Sequence, residues 1–143
     1  MKSCLTQGPV RISDISNLLA KGAGYVDRGG HSLFIGQVRA DVSDNKRITA
    51  IEYSVYEDLA SAEIEKIKTR LFSEFTDIKN IEIIHSAGIV KAGEIAMAVM
   101  VSAGHRQQAQ QACSMVVELI KERFPAWKKE IFEDGSFRWK SAE

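Results

Sequence analysis

The residues best suited to chemistry lie together near the C-terminus, in Lys121-Glu122-Arg123-Phe124-Pro125-Ala126-Trp127-Lys128-Lys129-Glu130. Four lysine and arginine side chains surround one proline, between two aromatic rings. Proline has no N–H and disfavours helical geometry in the residue before it, so a helix arriving from the N-terminal side must end near Phe124 and turn. Lys121 is then expected on the last helical turn and Lys128 on the segment leaving it. Amines on two different elements can converge on one point. Converging amines beside aromatic walls can hold an anion and, once desolvation and mutual repulsion lower a lysine pKa, exchange protons with it. The ordinary alternative is a solvated basic helix end complementing the negative pole of the helix dipole.

Two further groups suit an anion. His105-Arg106 follows an apolar run and opens a long helix, where first-turn N–H groups are unsatisfied and carry the positive end of the dipole. Arg39 follows Gly36-Gln37-Val38 at the end of a strand pattern, a place from which a guanidinium can reach a ligand bidentately. Other patterns carry less. The glycine-rich stretch Lys21 to Gly30 has Asp27 where a dinucleotide loop has its third glycine, and reads as a connection. His31 and His85 sit in strand patterns and are expected to be satisfied by neighbours. Trp127 and Trp139 are expected to bury aromatic area. No zinc-type His/Cys spacing and no GxSxG occurs.

The elements that must position these residues follow from periodicity. Ser13 to Leu19 reads as a short helix capped by Ser13 and stopped by Gly22. His31 to Arg39 and Ile48 to Tyr56 read as strands joined by a hairpin loop around Asp44-Asn45. Glu57 to Phe75 is helical, with Ala60, Ile64, Ile67, Leu71 and Phe75 on one face. Ile81 to His85 reads as a short strand, Gly88 to Gly93 as a turn region, and Glu94 to Ser102 as a central strand buried on both faces. His105 to Phe124 is the second long helix, its stripe formed by Ala109, Ala112, Cys113, Val116, Val117, Ile120 and Phe124. Lys128 to Lys140 reads as an extended tail with a turn at Asp134-Gly135. The order predicts an α+β fold, a mainly antiparallel sheet with two long covering helices.

The 143 residues suit one domain over 1–143. Hydrophobic residues at 45% and charged residues at 27% are ordinary for a globular chain. Nineteen basic and nineteen acidic side chains cancel, so no overall field favours nucleic acid or an anionic membrane. The start of the chain lacks the apolar run of a leader, and Ile95 to Val101 is too short to span a bilayer. Of the two cysteines, Cys4 is expected in a mobile tail and Cys113 on a buried helix face. These features fit a cytoplasmic protein.

Taken together, the sequence resembles the large, catalytic subunit of molybdopterin synthase. The matching stretches are Gly36-Gln37-Val38-Arg39, Glu52-Tyr53 with Tyr56-Glu57-Asp58-Leu59-Ala60, Ile84-His85-Ser86-Ala87-Gly88 with Ala92-Gly93-Glu94, His105-Arg106 with Ala109 and Ala112, Leu119-Ile120-Lys121, Phe124 to Glu130, and Asp134-Gly135 with Trp139. Order and spacing hold from about Gly30 onward. The resemblance implies an α/β-hammerhead-type fold and a homodimer within a heterotetramer. It implies a small ubiquitin-like partner subunit carrying a thiocarboxylate on its C-terminal glycine, and sulfur transfer to cyclic pyranopterin monophosphate to form the molybdopterin dithiolene. It implies no metal or organic cofactor for this step. By the same resemblance Lys121 is the main general acid/base and Lys128 a substrate binder and electrostatic partner. Arg39, His105 and Arg106 fall at substrate-binding positions, joined by Gln37, Lys129 and Glu130, and some of these residues can act across the dimer interface.

Three residues depart from the family pattern. Ser86 stands where an arginine is usual, Gln110 where a phenylalanine is usual, and Gln37 where a lysine is frequent. Each removes a charge or an aromatic ring, and none touches Lys121 or Lys128. The alternative expectation is a non-catalytic module of the same fold that binds a ubiquitin-like partner or an anionic ligand.

Overall fold

The computed structural model describes residues 4–140; the leader reading as it concerns Met1 to Ser3 lies outside them. Among the described residues the order is β1 (Leu5–Gln7), α1 (Ile12–Gly22), β2 (Gly30–Gln37), β3 (Val42–Ser43), β4 (Lys46–Val55), α2 (Glu57–Glu74), β5 (Ile78–Lys91), β6 (Ile95–Ala103), α3 (Arg106–Arg123), β7 (Ala126–Phe132) and β8 (Phe137–Trp139). The strands form one sheet in the order β2-β6-β5-β4-β7-β8, with β1 on β5 and β3 on β4. Every pairing is antiparallel except β1 with β5. The fold is α+β, as its sequence pattern predicts.

The central strand β6 is buried from Ala96 to Ala103 because both its faces are covered. Met97, Val99, Val101 and Ala103 pack with Ile64, Ile67 and Leu71 of α2 and with Ala109, Ala112, Cys113, Val116 and Ile120 of α3. On the opposite face Ala98 meets Ile15 and Leu18 of α1. This two-sided cover explains the near-continuous apolar run, where a one-sided strand would alternate.

Several expectations need correction. Cys4 is not in a loose tail: its carbonyl accepts the His85 N–H at 2.8 Å, and its side chain packs on the main core. Gly88 to Gly93 is mostly strand, because β5 runs 14 residues through Gly88. Its first part pairs with β6 and its last part with β4, and Gly88 (φ +89°) stands where β5 reaches β4. Only Gly93, also at φ +89°, makes the turn into β6. The α1 cap is Arg11, whose N–H donates to Asp14 Oδ2 at 2.8 Å, and Gly22 is the last helical residue. The β3–β4 hairpin turns at Asp44 and Asn45, with φ of 52° and 62°. A tight two-residue loop demands such positive values. The C-terminal stretch is extended and turns at Asp134-Gly135 as expected, and its strands are paired. β7 pairs along β4 from Val55↔Ala126 to Ile48↔Phe132, and β8 folds back on β7.

Candidate functional site

The turn expected at Phe124-Pro125 is present. Lys121 and Arg123 occupy the last turn of α3, and Phe124 caps it, its N–H donating to the Ile120 carbonyl at 2.9 Å. Beyond Pro125 the chain enters β7, where Lys128 lies opposite Tyr53 of β4. Phe124 stacks on the His85 ring at 4.3 Å and 25°, and Tyr53 meets the same ring edge-on at 5.2 Å. The helix end, β7, β4 and β5 thus meet around His85, with Lys121 exposed on the turn above and Lys128 half-buried.

The electrostatics centre on His85. Burial, opposed by the Ser86 carbonyl and helped by the charge of Lys128, pulls its pKa down to about 4. Nδ1 lies 2.7 Å from that carbonyl, which can only accept. The neutral ring therefore carries its proton on Nδ1 and a lone pair on Nε2. Burial alone raises the Tyr53 phenol to about 12, so it too is neutral. Sequence reading missed His85 as part of the site. The signal was its phase: His85 follows Ile81 and Ile83 at period two, which puts it on their core face.

The buried neutral ring has a consequence for stability. An unfolded His85 takes up its proton near pH 6.5 and the folded one only near pH 4, so the unfolded chain binds more protons in between and stability falls as pH falls. The loss should reach about 2 kcal/mol by pH 5 and roughly 3 kcal/mol by pH 4. Urea unfolding at pH 7 and pH 5 measures it, and His85→Phe should remove most of the difference; an equal pH slope in both chains would assign it to other groups.

Lys129 and Glu130 have structural partners. Lys129 Nζ pairs with Glu52 Oε1 at 3.1 Å, across the β4–β7 ladder, and lies over the Phe137 ring at 4.5 Å. Glu130 is buried and accepts from Arg138 Nε at 2.8 Å. Trp127 and Trp139 are about half exposed, at 51% and 57%, contrary to the burial expected of them. Trp127 meets only an edge-on Tyr56 ring at 5.2 Å among the described ring pairs.

At the N-terminal end of α3 a carboxylate of the chain itself takes the first backbone donor. Asp77 Oδ2 accepts the His105 backbone N–H at 2.8 Å and lies 3.1 Å from its ring Nδ1, and Gln108 Oε1 accepts the Asp77 N–H at 2.9 Å. The hydrogen bond from His105 holds the Asp77 carboxyl below its ordinary pKa. Gly104 is glycine for this reason: a Cβ there would strike the Asp77 carboxylate. The His105 ring remains largely exposed beyond this contact, as does Arg106.

The candidate residues fall into two separate groups. Both Arg106 and Lys121 belong to α3. At a helical rise of about 1.5 Å per residue they stand roughly 22 Å apart along its axis. Strand β2 repeats the division. Gly30 lies against Arg106, where an added Cβ would be 3.2 Å from its Cα, and Gln37 is at the opposite end, paired with Ile95. Arg39 follows two residues beyond the end of β2, largely exposed and 3.2 Å from Asp41. Gln37, Arg39, Lys121 and Lys128 thus share one end of the sheet, and His105 with Arg106 occupies the other.

The departures at Ser86 and Gln110 also separate. Ser86 is fully buried, with its hydroxyl 3.5 Å from the Ile95 carbonyl, so an arginine would not fit there without rearrangement. Gln110 faces solvent on α3 and leaves the helix packing untouched. Two clefts of about 580 and about 500 Å³ flank α1, and neither is lined by any of the candidate residues. Among the described residues no three His, Cys, Asp or Glu side chains are grouped as metal ligands, and no helix is long and apolar enough to cross a membrane.

Comparison with known proteins places these observations. The family model described as MoaE protein matches residues 5–123. The molybdopterin synthase catalytic subunit of Dictyostelium discoideum is 39% identical over 114 residues, covering 78% of this chain and 72% of that protein. The subunit of the same name from Drosophila willistoni is 36% identical over 95% of this chain, which spans only 36% of that longer protein. Among solved structures, molybdopterin synthase from Staphylococcus aureus superposes with a TM-score of 0.85 at 26% identity, covering 99% of this chain and 98% of that one. A Helicobacter pylori complex of subunits 1 and 2 of molybdopterin-converting factor shares the fold, with a TM-score of 0.78 at 20% identity over 96% of this chain and 88% of that one.

Proposed function

Because this chain belongs to the MoaE protein family, we propose that it is the catalytic subunit of a molybdopterin synthase, a sulfurtransferase acting on cyclic pyranopterin monophosphate. The sulfur donor in this reading is the C-terminal thiocarboxylate of a small ubiquitin-like subunit. The observation that carries the proposal is the Phe124-Pro125 turn, which sets Lys121 on the end of α3 and Lys128 on β7, with Phe124 between them stacked on a neutral, buried histidine.

The chemistry asked of these residues is modest. The thiocarboxylate sulfur bonds to a substrate carbon, and the carbon–oxygen bond to the cyclic phosphate opens. Water then cleaves the acyl–sulfur bond, returning the glycine as a carboxylate and leaving sulfur on the pterin. Two donor tails are consumed for each dithiolene: the first sulfur displaces the phosphate oxygen, and the second replaces the oxygen on the neighbouring carbon, which leaves as water. A lysine ammonium can protonate the departing oxygen, and the amine can then take a proton from the attacking water. Lys121 fills that role here, and Lys128 offsets the charge that builds on the oxygens. Gln37 and Arg39, at the same end of the sheet, fit contacts to the substrate. Lys129 and Glu130, tied to Glu52 and Arg138, fit best as residues that hold β7 in place beneath it.

His105 and Arg106 stand too far from Lys121 to reach the same substrate molecule within one chain. They act in this reading on a site of a second copy, and a two-fold dimer makes both sites alike. Incubating the chain with thiocarboxylated small subunit and cyclic pyranopterin monophosphate should yield dithiolene product. Arg106→Ala should raise KM at least tenfold with little change in Tm. A stable complex without product would favour the non-catalytic module, and a large fall in Tm with unchanged KM would make Arg106 structural.

A further inference from the structure

The mechanism above leaves unused the most thoroughly enclosed titratable group at the site. His85 is only 6% exposed. Its ring is fixed on three sides: by the Ser86 carbonyl at Nδ1 (2.7 Å), by Phe124 stacked at 4.3 Å, and by Tyr53 edge-on at 5.2 Å. Its backbone N–H is held by the Cys4 carbonyl at 2.8 Å, so β1 pins the strand at this residue. The cross-strand neighbour of Tyr53 is Lys128, whose charge acts on the ring.

A ring so held has one tautomer and one orientation. With the proton on Nδ1, Nε2 offers a lone pair, which attracts an ammonium that comes within reach of it. A second cation there would repel Lys128, and a carboxylate would pin it as a permanent ion pair. A neutral acceptor does neither.

We propose that His85 is a positioning residue for Lys128: its neutral ring, locked by Ser86, Phe124 and Tyr53, provides the acceptor wall against which the Lys128 amine is held for the reaction. The role of Lys128 in turnover rests on the function proposed above, but the coupling between the two side chains does not.

The coupling can be read on the chain alone, by following lysine Cε–Hε signals with pH in labelled protein. In His85→Phe, which keeps a ring for Phe124 to stack on, the Lys128 midpoint should fall by at least half a pH unit while the other lysines hold theirs. His85→Gln, whose amide restores an acceptor, should recover at least half of that shift. In turnover, His85→Phe should lose at least tenfold in kcat with KM within twofold. A folded His85→Phe whose Lys128 titrates as in the parent chain overturns the proposal, since a purely structural histidine would change Tm and leave that midpoint alone. If His85→Phe does not fold, Lys128→Met decides the matter: the His85 ring should titrate at higher pH once the lysine charge is gone, because coupling is reciprocal, and an unmoved ring overturns the proposal. A shifted lysine in a chain that makes no product would leave the positioning intact and refute the enzymatic reading instead.

Discussion

Lys121→Ala is expected to stop dithiolene formation while leaving the chain folded. The side chain is exposed on the last turn of α3, away from the stripe that packs on β6. Its removal should therefore change stability by only about 0.5 kcal/mol or less. The helix end loses one favourable cation and keeps Arg123. The catalytic loss should be far larger, because proton transfer by a positioned side chain contributes roughly 100- to 10,000-fold. If Lys121 serves both the departing oxygen and the attacking water, both steps suffer. Single-turnover product analysis beside a thermal melt separates the two effects. Near-normal turnover would remove Lys121 from the chemistry. A collapse in Tm would mean that its aliphatic stem packs on the site and that the kinetic loss reports folding.

The same helix shows what the sequence makes legible. The α3 stripe, the proline turn after it and the apolar run of β6 are all local patterns, and local patterns survive into the structure because burial on α3 and β6 is what they encode. The position of Lys121 and Lys128 on either side of Phe124-Pro125 follows from the same reading. Even the separation of His105-Arg106 from Lys121 is contained in the helix length, since a straight helix keeps its two ends apart.

What the sequence hides is long-range pairing. Asp77 caps α3 from the bend just before β5, 28 residues before His105, and nothing in the local spacing of either residue announces it. β1 is three residues long and exists only because β5 offers it a parallel edge at Leu5↔His85. Gly88 looks like a turn residue because most positive-φ glycines make turns; here the same backbone freedom lets one strand pass from one pairing to the next. Glu130 reads as a candidate ligand until β8 returns Arg138 beside it. His85 reads as an incidental strand histidine until Phe124 and Tyr53 close on its ring. In each case the missing information is which distant segment becomes the neighbour.

The division of the candidate site between the two ends of α3 leads to the most demanding expectation. In a two-fold dimer whose sites each combine Lys121 of one copy with His105 and Arg106 of the other, Arg106→Ala and Lys121→Ala are each deficient alone. Mixed chains behave differently. In a dimer of one Arg106→Ala chain and one Lys121→Ala chain, one site receives both defects and the other receives neither. Random reassortment makes half the dimers mixed and leaves half the sites of each mixed dimer intact, so activity should recover to about a quarter of the parent level. Sites built within one chain would recover nothing, because every site would then carry one defect or the other. Recovery must also need exchange of subunits, appearing only after dissociation and reassembly of the two variants. Such recovery would turn the length of α3 between Arg106 and Lys121, roughly 22 Å at the ordinary helical rise, from an obstacle into the reason the enzyme requires two copies.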